Sequence, residues 1–142
     1  MEIIEVKEYS DQVLSALNVL IPQLSSSAEF LDEAALRSII ENASTHLLIA
    51  KEGGTYYGAL TVVVLPIPTG IRAWIEDVVV SEEARGKGVG KLLSNNALEL
   101  AFSLGAKTVD LTSRPSRVAA NELYKQVGFV QRDTNVYRYS RT

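Results

Sequence analysis

The sequence predicts an α/β fold, with a mixed, mostly antiparallel sheet and helices on both faces. Short segments of alternating or continuous apolar residues predict strands, and longer segments with apolar residues three or four positions apart predict helices. Hairpin turns join the early strands, whereas a helix separates two strands in the middle of the chain. The predicted order is β-α-α-β-β-β-α-β-α-β-β, and 142 residues suit a single domain over 1–142.

The first half of the chain supplies six of these elements. They are a strand at 2–9, helices at 12–24 and 27–43, and strands at 45–52, 55–66 and 71–81. Ser10 or Asp11 suits the N-cap of the first helix, and Pro22 near its end cannot continue a regular helix. Gly53 and Gly54 predict a tight hairpin turn between the second and third strands.

The second half alternates helices and strands. It contains a helix at 89–105, a strand at 106–113, a helix at 116–128 and a closing hairpin at 129–133 and 135–140. Gly105 and Gly128 suit the ends of the two helices. A closing hairpin that lies exposed offers an edge for pairing, so we include a homodimer among the expectations.

Composition excludes several classes of function. The chain is 46% hydrophobic and 22% charged with a net charge of −3, which does not favour nucleic-acid binding. It has no cysteine, so disulfides, thiolate nucleophiles and Cys-based zinc sites are excluded, and His46 with scattered carboxylates predicts no metal site. The sequence shows neither an apolar run of about 20 residues nor a signal peptide, so we expect a cytoplasmic protein without a membrane partner.

The segment EDVVVSEEARGKGVGKLL, residues 76–93, places glycines and cations between a strand and a helix. The glycines are Gly86, Gly88 and Gly90, and the cations are Arg85, Lys87 and Lys91. Glycines let the backbone approach a ligand closely, and the first turn of a helix presents unpaired N–H groups to an anion. The segment therefore predicts a phosphate or pyrophosphate site, and the alternative is a surface turn with solvated charges.

Two common phosphate-binding patterns do not fit this loop. The P-loop pattern fails because neither Ser nor Thr follows Lys91. The Rossmann pattern fails at its last glycine, although Asp110 stands about 20 residues on, where a ribose-binding acid would lie. The charged segment SEEAR also separates the strand from the glycines, which argues against a Rossmann unit.

A third pattern does fit. The residues from Arg85 to Gly90 match R/Q-x-x-G-x-G/A, the signature of the GCN5-related N-acetyltransferases. EDVVV resembles the preceding strand in glucosamine-6-phosphate and spermidine/spermine acetyltransferases, and ANELYKQVGF resembles the closing helix of the family. The resemblance runs from about Ile3 to the C-terminus, is tightest between Trp74 and Phe129, and implies the acyl-CoA N-acyltransferase fold.

The resemblance implies acetyl-CoA as the cosubstrate, an amine as the acceptor, and no metal. Amides of the signature loop would hold the pyrophosphate, and the fourth strand would bond the pantetheine arm where the fourth and fifth strands splay apart. The residues implied in cofactor binding are Val78, Val79, Val80, Arg85, Gly86, Lys87, Gly88, Val89, Gly90, Lys91, Arg117 and Asn121. Arg117 stands where the family commonly has an asparagine, which puts the usual contact there in doubt.

The resemblance also implies catalytic roles. Glu76, nine residues before Arg85, matches the base of the spermidine/spermine enzymes, and the alternative is an exposed carboxylate without a role. Asp77 is expected on the opposite face of a regular strand, and a β-bulge would exchange the two. Tyr124 occupies the position of the general acid, although a tyrosine on an amphipathic helix also suits the core. The Val78 N–H is expected to polarise the thioester carbonyl.

The acceptor stays open at this point. Arg114 and Arg117 are expected at the mouth of the cleft, where they suit either an anionic group of the acceptor or a phosphate of CoA. The leading hypothesis is an N-acetyltransferase acting by direct attack in a ternary complex on a small amine, an amino sugar, a polyamine or a protein amine. The alternative is a non-catalytic acyl-CoA-binding module on the same fold.

Overall fold

A five-stranded sheet runs through the centre of the protein. The structure is a computed structural model and describes residues 1–141. The strands are β1 (Glu2–Glu5), β2 (Thr45–Glu52), β3 (Thr55–Ile67), β4 (Gly70–Val80) and β5 (Thr108–Asp110). The helices are α1 (Asp11–Leu24), α2 (Glu33–Glu41), α3 (Val89–Ser103) and α4 (Val118–Val127), and a 3-10 turn spans Glu82–Ala84.

The strands lie in chain order, β1-β2-β3-β4-β5. The first four pair antiparallel, and β5 pairs parallel with β4 after the α3 crossover. This pairing is short, because only Arg72–Trp74 of β4 face Thr108–Asp110 of β5. The predicted mixed, mostly antiparallel sheet is confirmed.

Helices cover the two faces of the sheet and divide the core in two. On the α3 face, Leu93, Ala97 and Ala101 of α3 pack against buried side chains such as Leu60 and Val62 of β3. On the α1–α2 face, Leu17 and Leu20 of α1 and Leu36 of α2 pack against Leu47 and Ile49 of β2. The prediction of helices on both faces is therefore confirmed.

The helix starts follow local capping chemistry. The Ser10 hydroxyl accepts a hydrogen bond from the Val13 N–H at 3.2 Å, so Ser10 is the N-cap of α1. The Asp32 carboxylate caps α2 by accepting from the Ala35 N–H at 2.8 Å. The prediction of a helix from residue 27 is wrong, because α2 begins six residues later at Glu33.

Asn18 of α1 holds the connection between α1 and α2 in place. Its side-chain amide donates to the Leu31 carbonyl and accepts from the Leu31 N–H, both at 2.9 Å. These two bonds satisfy the backbone of Leu31 outside any helix. The α1–α2 loop is thereby attached to α1 just before the cap at Asp32.

The largest difference from the predicted elements lies at the C-terminus. The expected strands at 129–133 and 135–140 are absent, and β5 is shorter than predicted. Within the described chain, no backbone hydrogen bond joins residues 130–141 to another residue. The alternation of the sequence favours a strand there, but no strand within residues 1–141 pairs with it.

Candidate active site

A β-bulge in β4 shapes the centre of the candidate site. Thr61 of β3 pairs with Glu76, but Ala59 pairs with Val79, so β4 uses one residue more than β3 over this interval. Asp77 lies at the bulge with φ of 53°, in the left-handed region that Asp and Asn tolerate best among residues with a side chain. The bulge sets the direction in which β4 continues towards the signature loop.

The bulge also determines on which face each side chain of β4 lies. Ala73 and Ile75 belong to the core of the α3 face, so Glu76 lies on the α1–α2 face by alternation. After the bulge, Val79 enters the core of the α1–α2 face, and Val78 and Val80 pack against that of the α3 face. Glu76 and Asp77 are both exposed, and neither forms an ion pair among residues 1–141.

Gly58 of β3 supports the bulge from the neighbouring strand, and the sequence analysis missed it. A Cβ built on Gly58 would lie 2.8 Å from the Val79 carbonyl oxygen and 3.1 Å from Leu93 Cδ1. No side chain fits against a backbone oxygen at that distance. The available signal was a lone glycine inside a strand of β-branched and aromatic residues, which indicates a close backbone approach.

We expect Gly58→Ala to destabilise the protein by about 1–3 kcal/mol, the usual range for an overpacked interior site. The added methyl group must displace the β4 backbone at Val79. Gly54→Ala is the matched control, because a Cβ there meets nothing within 4 Å. Urea unfolding of both variants measures the difference, and equal midpoints would contradict this role of Gly58.

The C-terminal half of β4 is open on the side that faces β5. Pairing with β5 stops at Trp74, so no strand of the described chain lies beside residues 75–80 on that side. Backbone N–H and C=O groups on an open strand side are available to a ligand. The pairing of β4 with β5 therefore ends before the region, around Val78 to Val80, where the resemblance implies a bound pantetheine arm.

The signature loop connects the end of β4 to α3. Gly86 and Gly88 have φ of 78° and 81°, and a Cβ on either would meet nothing within 4 Å. Gly88 is the N-cap of α3 and carries no capping side chain. Within the described chain, the amides of Gly86, Gly88 and the first turn of α3 up to Lys91 donate no hydrogen bond. Amides arranged in this way form an anion-binding concavity.

The side chains of the loop add positive charge. Arg85, Lys87 and Lys91 are exposed, and none of them forms an ion pair in the part of the chain that the structure describes. The first turn of α3 contains no acidic residue. Free amides, left-handed glycines and unpaired cations together fit a pyrophosphate group.

Gly90 marks the point where three elements of the site meet. A Cβ built on Gly90 would lie 2.7 Å from Leu123 Cδ2 of α4 and 3.7 Å from Val80 Cγ2 of β4. Gly90 is buried, so the reason for glycine here is the close packing of α3 on α4. Val89 is also buried, and only the amides of these two residues are left for a ligand.

Tyr124 lies next to this meeting point on α4. Its side chain is buried, with 6% exposed, and its ring packs edge to face with Phe129 at 5.8 Å between centroids. The hydroxyl makes no hydrogen bond to another residue of 1–141. Burial raises the pKa of the hydroxyl above its ordinary value of 10.0, and the positive charge of Arg117 lowers it by a smaller amount. The phenol is therefore protonated at neutral pH.

Asn121 and the two arginines lie where β5 leads into α4. The Asn121 amide donates to the Arg114 carbonyl at 3.0 Å, and the Arg117 N–H donates to the same oxygen at 3.0 Å. Asn121 thus holds the β5–α4 loop in place. Its side-chain oxygen makes no hydrogen bond to another residue of 1–141. Arg114 and Arg117 are exposed, and the Ser113 hydroxyl in the same loop is buried without a partner among the described residues.

A second residue that the sequence analysis missed is Gln23. Its side-chain oxygen accepts a hydrogen bond from the Glu82 N–H at 3.0 Å. This bond fastens the C-terminal end of α1 to the 3-10 turn that precedes the signature loop. A contact between residues so far apart in the chain leaves no local pattern in the sequence.

A shallow hollow of about 440 Å³ is lined by residues of α1 and by Tyr56 of β3. Residues 1–141 contain no group of three His, Asp or Glu side chains arranged to hold a metal ion. Over the same residues, none of the helices has the length and apolar character needed to cross a bilayer.

Comparison with known proteins agrees with this geometry. The model of the acetyltransferase (GNAT) family matches residues 13–129. A protein of Bacillus subtilis (strain 168), described as the uncharacterized N-acetyltransferase YhfO, is 32% identical over 111 residues, covering 75% of this chain and 72% of the relative. The chain therefore belongs to the GNAT family of acetyltransferases. It is an N-acetyltransferase.

Solved structures show the same fold. A putative acetyltransferase from Agrobacterium tumefaciens str. C58 has a TM-score of 0.88 at 24% identity, covering 99% of this chain and 100% of that one. AAC(6')-Iy in complex with a bisubstrate analogue, CoA-S-monomethyl-acetylneamine, has a TM-score of 0.81 at 17% identity, covering 99% and 98% of the two chains.

Proposed function

We propose that the protein transfers the acetyl group of acetyl-CoA to a primary amine by direct attack in a ternary complex. One observation carries the proposal. Gly90 packs against Val80 of β4 and Leu123 of α4, next to the unpaired amides at the start of α3, and Tyr124 follows Leu123 on α4. The bisubstrate complex of AAC(6')-Iy, which has the same fold, supports CoA as the ligand of this cleft.

The signature loop suits the diphosphate of CoA. The free amides of Gly86, Gly88 and the first turn of α3 up to Lys91 would donate to its oxygens, and Arg85, Lys87 and Lys91 would balance its charge. The open side of β4 around Val78, Val79 and Val80 would bond the pantetheine arm through the backbone. Acetyl-CoA supplies an activated acyl group as a thioester.

Three groups of this chain would then act on the reacting atoms. The Glu76 carboxylate, directly or through a water, accepts the proton that the acceptor ammonium must lose before its nitrogen attacks. The Val78 N–H donates to the carbonyl oxygen as negative charge develops there. The Tyr124 hydroxyl gives its proton to the sulfur as the C–S bond breaks, and its raised pKa keeps that proton available.

The proposal includes several classes of acceptor amine. Arg114 and Arg117 are exposed and form no ion pair among residues 1–141, so they suit an anionic group on the acceptor or a phosphate of CoA. Asp77, exposed beside Glu76, suits an ammonium group.

A screen of amines, amino sugars including aminoglycosides, polyamines, amino acids and peptides for release of free CoA thiol identifies the acceptor. If the protein binds acetyl-CoA but no acceptor causes release of free CoA thiol, the result would favour a non-catalytic acyl-CoA-binding module.

We expect acetyl-CoA to raise the melting temperature, because a ligand that binds only the native state stabilises it by about 2.7 kcal/mol at 100 times its Kd. Replacing both Arg85 and Lys91 with alanine should reduce the shift. Lys107→Ala is the matched control. Lys107 precedes β5 and lies beside Gly70, the first residue of β4, whereas the signature loop follows the last residue of β4. Differential scanning fluorimetry measures the shifts. A shift with NAD and none with acetyl-CoA would overturn the assignment.

A further inference from the structure

Two buried hydroxyls of the protein make no hydrogen bond. Ser94 Oγ on α3 and Ser113 Oγ in the β5–α4 loop are the buried side-chain polar atoms that find no partner within residues 1–141. Buried polar groups of native proteins are nearly always hydrogen-bonded, because an unpaired one loses its hydration without compensation. The two hydroxyls therefore indicate a bound partner, which is either a ligand or a water.

Ser94 differs from the other serine near the end of the same helix. A serine inside a helix can satisfy its hydroxyl with a carbonyl of the preceding turn, and Ser103 does so by donating to the Leu100 carbonyl at 2.7 Å. Ser94 makes no such bond, although it is only 1% exposed. Ala97 and Ala101 fill later positions on the buried side of α3, so packing alone does not require a hydroxyl on this side.

Ser94 lies close to the open side of β4. It follows Gly90 by one helical turn, so both residues lie on the same side of α3. That side packs on Leu123 of α4 and Val80 of β4, which lie 2.7 and 3.7 Å from a Cβ built on Gly90. Val80 belongs to residues 75–80 of β4, which no strand of the described chain covers on the β5 side.

Ser113 lies on the β5 side of the same region. It follows Asp110 by three residues, and Asp110 pairs with Trp74 where the pairing of β4 with β5 ends. The loop that carries Ser113 is held in place, because the Asn121 amide donates to the Arg114 carbonyl at 3.0 Å. The two unpaired hydroxyls therefore come from α3 and from the loop after β5, the elements on either side of the unpaired part of β4.

We propose that Ser94 and Ser113 bind the pantetheine arm of acetyl-CoA through their hydroxyls. The inference rests on the proposed function, in which the arm lies along the open side of β4. An arm in that position would have Ser94 of α3 on one side and Ser113 of the β5–α4 loop on the other. A hydroxyl can donate to a carbonyl and accept from an N–H, and the amide groups of the arm supply both.

One ligand explains the unpaired groups better than separate waters. The open side of β4 and the first amides of α3 also lack partners within residues 1–141. These groups extend from the signature loop to the loop after β5, so a single extended polar molecule would satisfy them together with the hydroxyls. A water bound at each hydroxyl is the alternative, and it predicts that the serines contribute to stability and not to acetyl-CoA binding.

Isothermal titration calorimetry of Ser94→Ala and Ser113→Ala tests the proposal. We expect each variant to raise the Kd of acetyl-CoA about 2- to 10-fold, which corresponds to the loss of one hydrogen bond. The Kd of adenosine 3′-phosphate 5′-diphosphate, which has the diphosphate of CoA without the arm, should not change. Ser103→Ala is the matched control, because it makes the same substitution at an exposed position of α3 and should leave both Kd values unchanged.

Melting curves without ligand separate binding from a structural role. Removal of an unpaired hydroxyl breaks no hydrogen bond within the protein, so neither variant should lower the melting temperature. A lower melting temperature with an unchanged Kd of acetyl-CoA would assign the hydroxyls to bound waters and overturn the proposal, and so would an equal rise in the Kd of the nucleotide. If the wild type binds no acetyl-CoA, the proposed function fails too. If the wild type and both variants bind acetyl-CoA equally well, only this inference is wrong.

Discussion

Tyr124→Phe should lower kcat by about 10²–10⁴-fold, the usual contribution of a general acid. The change removes only the hydroxyl and keeps the ring that packs on Phe129. Because the hydroxyl bonds no other residue of 1–141, the free energy of unfolding should change little. Steady-state kinetics with the acceptor found in the screen, together with a melting curve, checks both expectations.

The control for this variant is Tyr57→Phe, which removes a hydroxyl from a half-buried tyrosine that packs on the α3-face core. Its kcat should stay near that of the wild type. The pH profile gives a second readout. Burial raises the pKa of Tyr124 above 10.0, so the phenol should keep its proton as the pH rises to about 10. Loss of that proton should therefore cause no decrease in the wild-type rate up to about pH 10. If Tyr124→Phe leaves both kcat and acetyl-CoA binding unchanged, Tyr124 has a purely structural role.

Parts of the site that depend on local chemistry could be predicted from the sequence. The Ser10 cap, the glycines before α3 and the end of α4 at Gly128 each follow from residues within a few positions of one another. The signature loop has the left-handed glycines and free amides that its sequence indicates. Such features need no knowledge of the rest of the fold.

Other features depend on contacts between distant residues, so local sequence could not decide them. The sequence analysis gave a bulge at Glu76 and Asp77 only as an alternative, because the bulge arises from how β3 and β4 pair. Gly58 is required only because the Val79 carbonyl approaches it. The bond between Gln23 and Glu82 joins α1 to the signature loop across the fold. These are the features that set the direction of β4 into the cleft.

The C-terminal segment, residues 130–141, shows a different limit of sequence reasoning. Its alternation predicts a strand, and a strand forms only where another strand supplies hydrogen bonds. β5 is three residues long and pairs with β4, and residues 130–141 make no backbone hydrogen bond within the described chain. The alternation alone therefore does not decide whether a strand forms.

Glu76→Gln should lower kcat by about 10²–10⁴-fold near neutral pH, the range for loss of a general base. The amide has the shape of the carboxylate but cannot accept the proton of the acceptor ammonium. The variant would then depend on acceptor that is already deprotonated in solution. Its rate should therefore rise about tenfold per pH unit below the pKa of the amine, which is near 10.4 for a lysine-like amine. Rates from pH 6 to 10 measure this slope.

Asp77→Asn is the matched control, because both residues of the pair are exposed and Asn tolerates the left-handed φ of 53° as well as Asp does. If Glu76 is the base, Asp77→Asn should keep the shape of the wild-type pH profile and change at most the KM of the acceptor. The two variants differ by one position but lie on either side of the point where the β-bulge begins. If Asp77→Asn instead acquires the tenfold slope and Glu76→Gln does not, the bulge has brought Asp77 to the amine. The cleft would then have the same cofactor site with the neighbouring carboxylate as its base.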